Sequence, residues 1–103
     1  MKTFTGLFGA SLVSTQMTTS SNVVDMIEFF PIKSSTTGTT LTNTATMFVG
    51  LETGALPYFV PTGGSLTLNY ASNRERQNTQ NFFLRGGANG DGYYVISYPQ
   101  LFE

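Results

Sequence analysis

The chain has 103 residues, of which 40% are apolar and 11% are charged, and its five basic and six acidic residues leave a net charge of −1. That length fits one domain with one modest core. The charge argues against a nucleic-acid partner, because binding to phosphates needs a basic face. Since the chain has no cysteine and no histidine, it offers no disulfide framework, no thiolate metal site and no imidazole base.

Residues 1–22 intersperse apolar side chains with Gly, Ser and Thr. We predict that they form an extended arm that docks on a neighbouring subunit; a frayed terminus is the alternative. Met1 and Lys2 before a weakly apolar run also resemble a secretory signal, but Thr and Gly interrupt that run and it is too short to span a bilayer. We therefore expect cytoplasmic synthesis without export and no membrane span. The predicted contact residues of the arm are Phe4, Leu7, Phe8, Leu12 and Val13.

Residues 23–32 are rich in β-branched and aromatic side chains. This composition predicts a strand, and Pro31 is typical of an edge strand or a strand end. The apolar residues do not alternate cleanly, so both faces of the strand are expected to be covered. A helix is the alternative, with Val23, Ile27 and Phe30 on one side.

Residues 34–46 are nearly all Thr and Ser around one glycine. They predict a polar hairpin or an extended edge, with a flexible linker as the alternative. Residues 47–51 then alternate in the manner of a strand. Leu56–Tyr70 predicts a hairpin, because Leu66 and Leu68 alternate with polar residues and a Pro-Thr-Gly-Gly turn precedes them.

Residues 71–81 predict a polar connecting loop with one helical turn. Phe82–Arg85 and Tyr93–Tyr98 predict a second hairpin, joined by the glycine-rich run at 86–92. Strands of this length and spacing predict an all-β fold: a small antiparallel β-sandwich or barrel of the jelly-roll type, spanning residues 23–103 behind the arm.

Four segments resemble a known family when they are taken in order. They are LTNTATMFVG at 41–50, PTGGSLTL at 61–68, FFLRG at 82–86 and YYVISY at 93–98. This order resembles small β-sandwich structural proteins of tailed and tailless bacteriophages. In those proteins a strand that ends in glycine precedes a hairpin, and a second strand that ends in glycine then pairs with a final aromatic strand. The resemblance covers residues 41–98, and the polar insert at 71–81 departs from it. It implies a virion component: a capsid decoration or cement protein, a spike base, or a tail or fibre part.

The sequence gives less support to catalytic, phosphate-binding and metal-binding interpretations than to a structural role. A glycosidase needs two carboxylates across a cleft, whereas Asp25 and Glu28 would lie on opposite faces of a strand and on one side only in a helix. The run at 86–92 lacks the Lys-Ser/Thr ending of a phosphate loop. Asn89 and Asp91 offer too few oxygens for calcium. We expect no enzymatic activity, no metal and no cofactor.

Arg74 and Arg76 could join Phe and Tyr side chains in stacking on a single-stranded nucleic acid. Glu75 lies between them, and a subunit contact through the arginines is the favoured interpretation. The sequence thus predicts a non-enzymatic virion structural protein that packs on capsid or tail neighbours or on copies of itself. The alternative is a module that binds carbohydrate or a host surface through loop-borne tyrosines, and a secreted filament subunit is the third hypothesis.

Overall fold

The computed structural model describes residues 2–8, 14–35, 38–40, 43–51, 56–70, 77–86 and 90–99. Within these ranges the chain forms strands and a single 3₁₀ turn at Thr79–Asn81. The strands are β1 (Lys2–Leu7), β2 (Thr15–Gln16), β3 (Val23–Val24), β4 (Met26–Ser35), β5 (Gly38–Thr40), β6 (Met47–Gly50), β7 (Tyr58–Val60), β8 (Leu66–Asn69), β9 (Gln77–Asn78), β10 (Phe83–Arg85) and β11 (Asp91–Tyr98).

The strands form two main sheets, and every pairing is antiparallel. The larger sheet has the order β1-β11-β4-β5, and β8 also pairs with β4. The smaller sheet has the order β2-β10-β6-β7, and β3 pairs with β9 separately. The prediction of an antiparallel all-β fold is confirmed.

The pairing is nested from the ends of the chain inward. β1 pairs with β11, β2 with β10, β4 with β8 and β6 with β7. The short β3–β9 pair continues the same ribbon between its second and third pairs. A long antiparallel ribbon that folds over into two sheets is a jelly roll. The predicted jelly-roll form is therefore present, with β5 as an added edge strand on β4.

Neither predicted hairpin in the second half is correct. The turn at 61–64 forms, since the N–H of Gly64 donates to the carbonyl of Pro61 at 2.9 Å and Gly63 has a φ of 76°. However, β7 pairs with β6 in the smaller sheet and β8 pairs with β4 in the larger one. The turn therefore carries the chain between the sheets. Alternation shows which side chains face the core, but it does not identify the neighbouring strand.

The pairing implied by the phage resemblance fails in the same way. β10 pairs with β2 and β6, whereas the aromatic strand β11 pairs with β1 and β4. The glycine-rich segment between them thus connects the two sheets instead of closing a hairpin. Residues 87–89 of that segment lie outside the described residues.

An extended N-terminal arm is not confirmed. β1 pairs with β11 over its whole length, from Lys2 opposite Ser97 to Leu7 opposite Gly92. The N–H of Phe8 then donates to the carbonyl of Asp91 at 2.8 Å. The physical reason is that the first strand of a nested ribbon needs the last strand as its partner, so these residues belong to the sheet.

Residues 23–32 form strands rather than the alternative helix. Pro31 lies inside β4 rather than at its end, in the gap between the residues that pair with β8 and those that pair with β5. Because its nitrogen faces that gap, the proline costs no ladder hydrogen bond. The polar segment after it forms the β4–β5 hairpin, so the hairpin prediction is confirmed over the linker alternative. The 3₁₀ turn confirms the helical turn predicted in the loop at 71–81, although residues 71–76 lie outside the described residues.

The core lies between the inner faces of the two sheets. Phe29 of the larger sheet contacts Phe82, which precedes β10 of the smaller sheet, with ring centroids 5.6 Å apart. The buried apolar cluster comprises Phe8, Met17, Val24, Ile27, Phe29, Met47, Val49, Val60, Phe82, Leu84 and Val95. In the described part of the chain, no helix has the length and apolar character needed to cross a membrane.

Candidate interaction surfaces

The structure places three of the predicted contact residues. Phe4 packs against the core from β1, and Phe8 is only 7% exposed, with its ring 5.5 Å from that of Tyr93. Leu7, in contrast, is 60% exposed. Phe8 therefore fills the core of its own chain, and Leu7 is the one of the three that presents a large apolar surface. The predicted contacts at Leu12, Val13, Arg74 and Arg76 lie outside the described residues.

A row of aromatic and cationic side chains crosses the outer face of the smaller sheet. Arg85 of β10 is in register with Phe48 of β6, which is in register with Phe59 of β7. The guanidinium carbon of Arg85 lies 4.7 Å from the ring centroid of Phe48, in the range of a cation–π contact. Phe59 is 64% exposed. We call these three residues the Phe59 row.

The Phe59 row points outward because the residues beside it are needed inside. Met47 and Val49 flank Phe48, Val60 follows Phe59, and all three are at most 1% exposed. Since successive side chains of a strand point to opposite faces, Phe48 and Phe59 are left on the outside. The signal was present in the sequence, because each phenylalanine directly neighbours a buried residue along its strand, but the register that joins the three strands was not.

The outer face of the larger sheet carries a second group. Phe30 of β4 is opposite Tyr94 of β11, with their ring centroids 6.2 Å apart and their ring planes tilted by 54°. On the same face the hydroxyl of Tyr98 donates to a carboxylate oxygen of Glu28 at 2.7 Å. That hydrogen bond is the main cause that raises the pKa of Tyr98 above its usual 10.0. We call Glu28, Phe30, Tyr94 and Tyr98 the Tyr94 face.

The carboxylates of the two central strands do not form a pair. Glu28 lies on the outer face of the larger sheet, and Asp91 is 1% exposed on the inner side. The two oxygens of Asp91 accept from the backbone N–H groups of Thr44 at 2.8 Å and Ala45 at 3.0 Å. Asp91 therefore fastens the segment before β6 to the start of β11. Among the described residues, no group of three or more Asp, Glu, His or Cys could hold a metal ion.

The tyrosines are not borne by loops, so that part of the carbohydrate hypothesis is wrong. Tyr58, Tyr93, Tyr94 and Tyr98 lie in strands, and Tyr70 directly follows β8. The aromatic residues of this fold occur mainly in the segments with alternating apolar residues, and those segments form strands. Any sugar-binding surface among these residues would be a flat sheet face.

Two of the tyrosines have structural roles. Tyr93 crosses Gly6, where an added Cβ would lie 2.5 Å from the tyrosine oxygen, and its hydroxyl donates to the carbonyl of Met17 at 3.4 Å. The hydroxyl of Tyr70 is buried and has no hydrogen-bond partner among the described residues. Burial raises the pKa of both groups, and the nearby Tyr58 raises that of Tyr70 further.

Comparison of the chain with protein families, curated proteins and solved structures found no match.

Proposed function

We propose that the chain is a non-enzymatic structural subunit of a phage or other virus particle that packs against capsid or tail neighbours through the Phe59 row. The supporting observation is the 64% exposure of Phe59 beside an arginine already seated on a phenylalanine ring. The core is filled by the inner faces of the sheets, so this outer row is not needed for it. Apolar side chains clustered on a surface mark contacts with other molecules.

The edge next to the row favours a contact made by side chains. β7 has only three residues, and Pro57 precedes it while Pro61 follows it. Prolines on an edge strand oppose the addition of another strand. Phe59 and the 39%-exposed Tyr58 are thus displayed on an edge that is protected from sheet extension. Arg85 adds a guanidinium fork, which suits a carboxylate at the rim of an apolar patch on the neighbour.

Composition and fold support the virion setting. Only 11% of the residues are charged, so copies packed closely together repel one another little. Jelly rolls are a recurrent architecture of viral capsid domains. Residues 41–98 resemble phage structural proteins in the order of their segments, although not in their strand pairing, and that order supports the bacteriophage context. Fold by itself does not determine function, and for that reason the exposed row carries the proposal.

The test is whether the chain sediments with particles and whether Phe59 keeps it there. Burying the exposed part of a phenylalanine ring contributes about 1–2 kcal/mol. Phe59→Ser should therefore weaken retention on density-gradient-purified particles by about tenfold. Thr67→Ala, an exposed position on the larger sheet, should leave retention unchanged. Purified particles that lack the chain, or that retain Phe59→Ser fully, would refute the proposal.

One observation favours a second function, the binding of carbohydrate. The Tyr94 face places three aromatic rings, a carboxylate and tyrosine hydroxyls on a flat sheet, and sugars are bound by stacking on rings together with polar contacts. Lectins also use jelly rolls. Glycan-array binding by the wild-type protein that is lost in Tyr94→Ala would support this function. Binding that survives Tyr94→Ala, or no binding to any glycan, would exclude the face as a sugar site.

A further inference from the structure

β1 forms one edge of the larger sheet, and its register shows which of its backbone groups face outward. Phe8 donates its N–H to Asp91, and the carbonyl of Lys2 accepts from the hydroxyl of Ser97. Hydrogen-bonded positions alternate along an antiparallel pair. The even-numbered residues of β1 therefore bond to β11, and the N–H and C=O groups of its odd-numbered residues, at positions 3, 5 and 7, point away from the sheet.

The other described edges are less suited to accept a strand. β7 lies between two prolines, β2 has two residues, β5 has three and β8 has four. β1 has six residues and contains no proline, and its only charge is Lys2 at its start. Proteins protect long edge strands with prolines, charges or bulges, because an open edge templates pairing with another chain. Among the edge strands that the structure describes, β1 is the long one that lacks such protection.

The outward groups of β1 match a second copy of the same strand. We propose that β1 pairs antiparallel with β1 of a second copy across a two-fold axis at Thr5. Thr5 then lies opposite Thr5 of the second copy, and Thr3 lies opposite Leu7. All three outward residues become hydrogen-bonded pairs in this register, giving about six backbone hydrogen bonds. A two-fold contact of this kind uses the same patch on both copies.

The side chains also fit this register. Leu7, which is 60% exposed, is covered in part by Thr3 of the second copy. Phe4 and Gly6 lie opposite each other on the inner side of the strand pair, where Phe4 packs against the core of its own chain and Tyr93 crosses the glycine. Lys2 lies opposite Phe8, so the two lysines are separated by the length of the strand pair, roughly 20 Å, and do not repel. The contact joins the two larger sheets into one continuous sheet.

This inference rests on the assembly part of the proposed function, because it names a second copy of the chain as one partner. The two proposals use different sheets and can fail separately. The β1 pairing is read from the oligomeric state of the purified protein, whereas the Phe59 contact is read from retention on particles.

The first experiment uses the absence of cysteine in the chain. Residues opposite each other in a hydrogen-bonded antiparallel pair have Cα atoms about 5.5 Å apart, within the range of a disulfide. Thr5→Cys should therefore give a disulfide-linked dimer as the main product of mild oxidation. Thr3→Cys, displaced by four residues from its copy, should cross-link far less. Equal cross-linking of the two variants would overturn the register.

The second experiment measures dimerisation without a cross-link. Thr67 on β8 is a matched control, because the N–H of Tyr70 donates to Asp25 and places the N–H of Thr67 on the open side of its strand. Thr5→Pro should shift the wild-type dimer to monomer in sedimentation velocity, and Thr67→Pro should leave it a dimer. Thr5→Lys, which places two like charges opposite each other and leaves the backbone intact, should also give monomer. A monomeric wild type, or a dimeric Thr5→Lys variant, would refute the β1 pairing and leave the Phe59 proposal standing.

Discussion

Asp91→Ala tests whether one buried carboxylate fastens the two halves of the ribbon. Asp91 begins β11 and is 1% exposed, and its oxygens accept from the backbone N–H groups of Thr44 and Ala45 at 2.8 and 3.0 Å. The next link is Asn43, whose side-chain oxygen accepts from the N–H of Gly63 at 3.3 Å. The carboxylate thus holds a segment that also reaches the turn between the sheets.

The expected loss can be worked from these contacts. A hydrogen bond to a charged group contributes about 1.5–3 kcal/mol, and an orphaned buried donor costs about 1–3 kcal/mol. Thr44 is exposed and can regain water, whereas Ala45 is half-buried. We therefore expect Asp91→Ala to lower the free energy of unfolding by about 3 kcal/mol. Asp91→Asn keeps one acceptor but turns an amide donor toward a backbone N–H, so its expected loss is about 2 kcal/mol.

The assay is urea unfolding followed by far-ultraviolet circular dichroism, because the chain has no tryptophan to report by fluorescence. Glu28→Gln is the control, since a side-chain carbonyl there can still accept from Tyr98 and the position lies on the outer face. It should change stability by no more than about 0.5 kcal/mol. If Asp91→Ala also stays within that margin, the carboxylate does not fasten the fold and the reasoning fails.

Three further perturbations follow from packing and burial. Gly86→Ala should lower stability by about 1–3 kcal/mol in chemical denaturation, because the new Cβ would overlap the ring of Phe8; an unchanged midpoint would contradict this. Tyr70→Phe should leave the midpoint unchanged or raise it, because the buried hydroxyl has no hydrogen-bond partner among the described residues; a clear loss of stability would contradict this. Burial raises the pKa of Tyr70 and Tyr93 above 10.0. The contribution of these two groups to the free energy of unfolding is therefore intact below pH 10 and declines above it, because the tyrosines of the unfolded chain lose their protons at lower pH than those of the folded chain. The wild type should therefore lose stability more steeply above pH 10 than Tyr70→Phe, and equal slopes would argue against the shift.

Alternation along single strands was predictable from the sequence. Leu66 and Leu68 face inward and Thr67 and Asn69 face outward, as predicted. The reason is local: the pleat alone decides the side of each residue, and apolar residues take the buried side. The jelly-roll class followed from the number and spacing of such strands.

Strand partners were not predictable in this way. In the nested ribbon, β8 pairs with β4 across about 40 residues, and β11 pairs with β1 across the whole chain. The turn at 61–64 has the residues of a hairpin turn, but the flanking strands lie in different sheets, on opposite sides of the core. Short-range turn signals cannot report that choice, since it depends on contacts distant in sequence.

The candidate surfaces could be predicted only in part from the sequence, for the same reason. Phe48 and Phe59 alternate with buried neighbours, which predicts exposed rings. Their alignment with Arg85 depends on the register of β10, β6 and β7, which no local pattern contains. Asp91 was assigned to a turn, and its amide partners lie more than 40 residues away in the chain.

The two proposed contacts are linked through valency. Pairing at β1 would be closed by its two-fold axis, so it would leave the Phe59 row of each copy free on the smaller sheet. A dimer would then present two equivalent rows to a particle surface that itself repeats. Two linked contacts hold far more strongly than one when both can be engaged together. Thr5→Lys should therefore weaken retention on particles although it leaves every residue of the row intact, and Phe59→Ser should weaken retention without changing the dimer.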